Sequence, residues 1–81
     1  MNIKETLSKA FLLTKKIDGN IINLLYEPIR LCNRDYKVFT LYNVKRDNKT
    51  LYKECLDIQN IRELQEKSKS KYSDIKLEFL K

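Results

Sequence analysis

Basic residues interleaved with tyrosines occupy the middle of this chain. Lysine and arginine neutralise phosphates, and tyrosine rings stack on unpaired bases. Tyr42 and Tyr52 alternate with apolar residues and are expected in the core, which leaves Tyr36 as the ring most accessible to a ligand. The sequence therefore predicts a binding hairpin over residues 30–53 for nucleic acid or an acidic partner protein. Its candidate residues are Arg30, Arg34, Tyr36, Lys37, Lys45, Arg46, Lys49 and Lys53.

The charge of the chain is concentrated in that same segment. The 81 residues carry a net charge of +6, and residues 30–53 hold seven Lys and Arg against two Asp. A local excess of this kind favours polyanionic partners. The alternative is compositional, because Lys, Asn and Ile are all abundant and share AT-rich codons. On that interpretation the lysines are solvated surface, and the sequence leaves both open.

The chemistry of most enzyme sites is missing from the sequence. The chain has no histidine, one glycine and two cysteines, Cys32 and Cys55, 23 positions apart. This excludes Cys-His and Ser-His nucleophile pairs, ordinary zinc sites and glycine-rich phosphate loops. No carboxylates form an evident pair. We therefore expect a non-enzymatic protein without a cofactor or a metal, whose two thiols are reduced and buried.

No stretch of the sequence is long and apolar enough to cross a membrane. The length fits one domain, residues 1–81, with one modest core. With no export signal evident, a cytoplasmic location is expected.

Spacing predicts a helix at each end of a set of strands. Ile3, Leu7 and Ala10 form an apolar stripe over a predicted helix 3–16, and Asp18-Gly19 is expected to end it. Asn60 is predicted to cap a short second helix, and the alternating end of the chain predicts an edge strand that could join two copies into a homodimer. The predicted strands are 21–26, 29–32, 36–45, 50–58 and 73–80, and the second helix is 61–70.

These elements predict an α+β fold. Its small antiparallel sheet is expected to be strongly bent, and Pro28 is expected to mark an edge, a bulge or a break in the early strands. A sheet of this size either remains open with helices packed on it or curls into a small barrel.

Residues 19–64 resemble a WYL domain, a small SH3/Sm-like barrel of bacterial regulators. Glu27-Pro28-Ile29-Arg30-Leu31 matches the family's strand leading into Pro and Leu, and Tyr36–Tyr42 matches its aromatic strand. Leu56-Asp57-Ile58 and Leu64 match the end of its last motif, although Phe39-Thr40-Leu41 stands where the family has Trp-Tyr-Leu. The resemblance implies nucleic-acid or nucleotide binding by Arg30 and by Tyr36 or Tyr52.

Two functions follow as expectations. The first is a WYL-like nucleic-acid-binding or regulatory domain that uses the basic hairpin 30–53. The second is a protein-interaction module, such as a phage- or plasmid-borne inhibitor or accessory protein that docks on a partner protein.

Overall fold

A computed structural model describes residues 2–80, which form two helices and five strands. Helix α1 is Ile3–Leu7, and strand β1 is Phe11–Ile17. Strands β2, β3 and β4 are Asn20–Arg34, Lys37–Arg46 and Lys49–Asp57. Helix α2 is Ile58–Lys69, and strand β5 is Ile75–Phe79.

The five strands form one antiparallel sheet in the order β4-β3-β2-β1-β5. Helix α2 connects the two edge strands, β4 and β5, and packs on one face of the sheet with α1 beside it. The α+β class is therefore confirmed. The sheet is open rather than closed into a barrel, because β4 and β5 lie at opposite edges and no pairing in the described residues joins them.

Three two-residue turns connect strands β1 to β4. They are Asp18-Gly19, Asp35-Tyr36 and Asp47-Asn48, and all six residues have positive φ angles between 50° and 80°. Positive φ at both positions is the type I′ turn, whose twist matches that of the flanking strands. Each turn begins with aspartate, which tolerates this conformation better than most residues. Local turn chemistry thus sets the register beside each turn, and bulges after Pro28 and Val44 shift it further along the strands.

The predicted helix 3–16 is wrong beyond its first turn. Helix α1 ends at Leu7, and residues 11–17 form β1, in which Phe11 and Leu13 are buried while Leu12 and Thr14 are half-buried. Pairing with β2 on one side and β5 on the other satisfies the backbone of this segment. Asp18-Gly19 is a hairpin turn, not the end of a helix.

Other boundaries also differ from the predicted ones. The strands predicted at 21–26 and 29–32 are one strand, β2, which continues through Pro28 with a register shift between Pro28 and Arg30. A bulge of this kind accommodates the missing proline donor without ending the strand. Helix α2 begins at Ile58, three residues before the predicted start.

The earlier start of α2 follows from its cap. Asp57 accepts a hydrogen bond from the Asn60 amide at 2.8 Å, and the Asn60 side chain accepts one from the Asp57 amide at 2.9 Å. This reciprocal pair is a capping box. The Asp57 carboxylate also stabilises the helix, because its negative charge lies at the positive end of the helix dipole. Asn60 is therefore the third residue of the helix and not its cap. Neither helix described here is long and apolar enough to span a membrane.

The core lies between the sheet and the two helices. The Phe11 ring is fully buried at its centre, stacked on Tyr26 at 4.6 Å and edge-on to Tyr42 and Phe79. Helix α1 is joined to this cluster by two hydroxyls, since Thr40 donates to the Leu7 carbonyl at 2.7 Å and Tyr42 does so at 3.4 Å. The other buried apolar residues are Leu7, Leu13, Leu24, Val44, Leu56 and Ile61.

Candidate functional site

The two faces of the sheet have different surroundings. One face carries the core residues and is covered by α1 and α2. No described element packs on the opposite face, which we call the open face. Alternation along the strands places Leu12, Leu25, Phe39 and Leu41 on it, all half-buried. A sheet face left uncovered and partly apolar is available to a ligand.

Five of the eight candidate residues share this open face. Register places Arg30 beside Leu41, and Arg34 beside Lys37, at the end nearest the β2–β3 turn. Lys53 lies beside Asn43, and Lys45 beside Leu25. Arg30, Arg34, Lys37 and Lys53 are exposed. Four exposed cations thus surround the half-buried apolar centre formed by Phe39 and Leu41.

Lys45 differs from the other cations of this face. Its amine forms a salt bridge with Glu27, one diagonal step away across β2 and β3. Both side chains are partly exposed, so the pair contributes little to stability. It does neutralise Lys45, which leaves less of its charge for a polyanion.

The remaining basic candidates, Arg46 and Lys49, are separate from this group. They are paired with each other beside the β3–β4 turn, at the end of β3 opposite Arg34 and Lys37. Strand β3 has ten residues, so its two ends lie ~30 Å apart. The predicted basic hairpin is therefore divided into a cluster on the open face and a smaller pair at the far turn.

Tyr36 lies in the β2–β3 turn, between Arg34 and Lys37. Its relative exposure is 105%, and its φ angle is 63°. Its predicted accessibility is therefore confirmed. Tyr42 is fully buried as expected, whereas Tyr52 is 45% exposed at the sheet edge.

Sequence reasoning missed two contributors to the open face. Lys16 shares this face with Leu12 and Thr14 and is exposed, but the predicted helix 3–16 gave it no place beside the hairpin. Phe39 lies beside Cys32 on this face, and no binding role was predicted for it. One signal could have found Lys16: the Asp18-Gly19 dipeptide, which is typical of a two-residue hairpin turn.

Asn43, Cys32 and Cys55 place polar or thiol groups on the open face, and of these the Cys32 thiol donates a hydrogen bond to the Arg30 carbonyl at 3.9 Å. The buried Oδ1 atom of Asn43 is the one buried side-chain oxygen or nitrogen of the described residues that has no hydrogen bond. Cys32 and Cys55 are free, on strands β2 and β4 that are not neighbours. Cys55 is exposed and Cys32 half-buried, so the prediction that both thiols are buried is wrong.

Other potential sites offer less. Residues 2–80 contain no group of three or more His, Cys, Asp or Glu placed to hold a metal ion. A depression of about 190 Å³ between α2 and the sheet has Lys15 and Lys67 in its lining together with Glu54 and Glu63. Its charges balance, so it does not share the cationic character of the open face.

The two edges of the sheet differ in accessibility. On β5, the outward amide of Leu77 donates to Ser68 Oγ at 2.9 Å, and that of Ile75 donates to Ser73 Oγ at 3.1 Å. Both donors are therefore occupied at the edge through which a homodimer was predicted. On β4, no side chain among those described hydrogen-bonds to the backbone of residues 49–56. The more open edge is β4.

Comparison with known proteins does not identify a relative. No protein-family model matches the chain, and neither the curated proteins nor the solved structures contain a significant match.

Proposed function

We propose that this protein is a small non-enzymatic module that binds nucleic acid across the open face of its sheet. The observation that carries this proposal is the placement of four exposed cations, Arg30, Arg34, Lys37 and Lys53, around Phe39 and Leu41. Cations neutralise phosphates, and a half-buried ring offers a surface for a base. The regulatory role implied by the resemblance to WYL domains belongs to this proposal, which needs no closed barrel.

The test is fluorescence anisotropy with labelled single- and double-stranded DNA and RNA. Two variants of equal net charge are compared with the unmodified protein. The open-face variant combines Arg30→Gln, Lys37→Gln and Lys53→Gln. The control variant combines Arg46→Gln, Lys49→Gln and Lys67→Gln, which changes the far turn and one exposed lysine of α2.

We expect the open-face variant to bind roughly 10- to 100-fold more weakly at physiological salt, with a salt slope smaller by about three. The control variant should lose less than about 3-fold, because only the general field of the protein changes. Equal losses in both variants would mean that net charge, and not this face, causes binding. Absence of binding at physiological salt would refute the proposed function.

A second candidate is association with another copy of the chain through β4. Its outer backbone is open, and Leu51 and Tyr52 beside it are about half exposed. In an antiparallel pair of β4 strands centred on Tyr52, the Tyr52 rings of the two copies lie opposite each other on one face, and aromatic cross-strand pairs of this kind are favourable. A protein interaction would then occur at β4 rather than at β5, where serine side chains already accept hydrogen bonds from the outward amides.

Sedimentation velocity over a range of concentrations tests this association. We expect a dimer that Leu51→Lys disrupts, because a charged side chain at an edge opposes strand pairing. Tyr72→Lys, which changes another exposed apolar residue away from β4, should leave the dimer intact. A monomer at all concentrations, or equal effects of the two substitutions, would remove this candidate.

A further inference from the structure

Tyr36 is the exception among the three type I′ turns. The second residue is Gly19 in the first turn and Asn48 in the third, and both residue types accept positive φ readily. Tyrosine does not, because its Cβ approaches the backbone carbonyl in the left-handed region. The β2–β3 turn thus keeps a residue that its own backbone conformation disfavours.

Packing does not compensate for this strain. The Tyr36 side chain is fully exposed, and none of the hydrogen bonds or ring contacts in residues 2–80 involves it. The turn projects past the end of β4, whose last paired residue, Asp57, lies opposite Phe39. A strained aromatic residue without an internal partner points to a role outside the fold.

The neighbours of Tyr36 indicate the chemistry of its partner. Arg34 and Lys37 flank the turn, and Arg30 lies four residues before Arg34 in β2, on the same face. Asp35 is the one acid between Arg30 and Lys37. A solvent-facing ring bordered by cations matches a nucleotide, whose phosphates attract the cations and whose base has a flat face for the ring.

We propose that Tyr36 is a base-stacking residue and that it makes the protein select unpaired nucleotides over duplex. This inference rests on the nucleic-acid function proposed above and specifies its substrate class. The cations of the open face hold the phosphates, and Tyr36 at the projecting turn stacks on a base. A base in a duplex is already stacked on its neighbours and cannot accept the ring.

The experiment compares two single-stranded oligonucleotides of equal length, one with bases throughout and one abasic at every internal position. Both carry the same phosphates, so the ratio of their affinities measures recognition of bases. Four proteins are compared: unmodified, Tyr36→Gly, Tyr36→Asn and Tyr36→Phe. Asn is the residue that the third turn uses at this position, and Phe keeps the ring.

We expect Tyr36→Gly and Tyr36→Asn to bind the base-containing strand about 5- to 150-fold more weakly, which corresponds to the loss of one stacked base. Binding to the abasic strand and the salt slope should stay unchanged, and Tyr36→Phe should behave as the unmodified protein does. The urea midpoint of Tyr36→Gly should rise, because glycine relieves the strained φ. Stability and base recognition would then change in opposite directions, which misfolding cannot produce.

An unchanged affinity ratio in Tyr36→Gly would overturn the stacking role while leaving phosphate binding by the open face intact. Loss of binding to both strands in Tyr36→Gly would equally overturn it, since Tyr36 would then not discriminate bases. Failure of the unmodified protein to bind either strand would refute the proposed function itself, and the stacking role with it. Moving the ring by Asn48→Tyr in the Tyr36→Asn background should not restore base recognition, because the third turn lies at the opposite end of β3.

Discussion

Phe11→Ala should lower the free energy of unfolding by about 3–5 kcal/mol, the usual cost of truncating a buried phenylalanine. Phe11 is fully buried and contacts three other aromatic rings, so its removal leaves a cavity at the centre of the core. Domains of this size are stable by roughly 5–15 kcal/mol, so the variant should be close to unfolding at ambient temperature. Urea titration followed by circular dichroism measures the change.

Leu12→Ala is the matched control. Leu12 is the next residue of β1 but lies half-buried on the open face, so its truncation should cost less than about 1.5 kcal/mol. A strand requires this alternation, with large losses at Phe11 and Leu13 and small ones at Leu12 and Thr14. Large losses with helical spacing, at positions three or four residues apart, would contradict the assignment of residues 11–17 to β1.

The error over residues 8–17 has a physical origin. Ile3, Leu7, Ala10 and Ile17 lie close to helical spacing, while the consecutive apolar residues 11–13 show no alternation that would indicate a strand. The pairing with β5 joins segments about 60 residues apart in the chain, and no local pattern reveals it. Contacts made across the fold therefore override the local preference of this segment.

Local signals did place the later elements. Strand β3 and its hairpin with β4 follow from a long run of β-branched and aromatic residues and a polar turn, and β5 lies at an edge as predicted. The second helix was found, although its start was placed after Asn60 because the cap Asp57 ends an uninterrupted strand pattern. Helices and strands were predicted correctly wherever the spacing of apolar residues and the turn-forming residues indicated the same element.

The sequence predicted which residues belong to the candidate site, but not how the fold arranges them. Residue types placed the charge correctly in segment 30–53, and Tyr36 was recognised as exposed. The separation of Arg46 and Lys49 from Arg34 and Lys37 depends on β3 being one ten-residue strand with turns at opposite ends. The neutralisation of Lys45 by Glu27 depends on the register of β2 against β3, which the bulge after Pro28 shifts. Neither could be read from spacing along the chain.

Alkaline pH should destabilise the fold steeply through Tyr26 and Tyr42. Burial raises the pKa of the Tyr26 phenol far above its ordinary value, and the neighbouring Tyr52 hydroxyl and the negative charge of Glu54, to which Tyr26 donates a hydrogen bond at 3.2 Å, raise it further. Burial likewise raises the pKa of Tyr42. Both side chains are almost completely buried, so the native state holds them neutral while the unfolded chain ionises above about pH 10.

The sign of the effect follows from proton binding. Above about pH 10 the unfolded state has released protons that the native state retains, so the free energy of unfolding falls as the pH rises. Each tyrosine contributes about 1.4 kcal/mol per pH unit until its native-state pKa is reached, and its contribution to stability is fully present below pH 10. Urea titrations between pH 9 and pH 12, with phenolate absorbance as a second signal, should show ionisation and unfolding together. The Tyr26→Phe/Tyr42→Phe variant removes both titrating groups and should lose this slope, whereas an unchanged slope would assign alkaline unfolding to other residues.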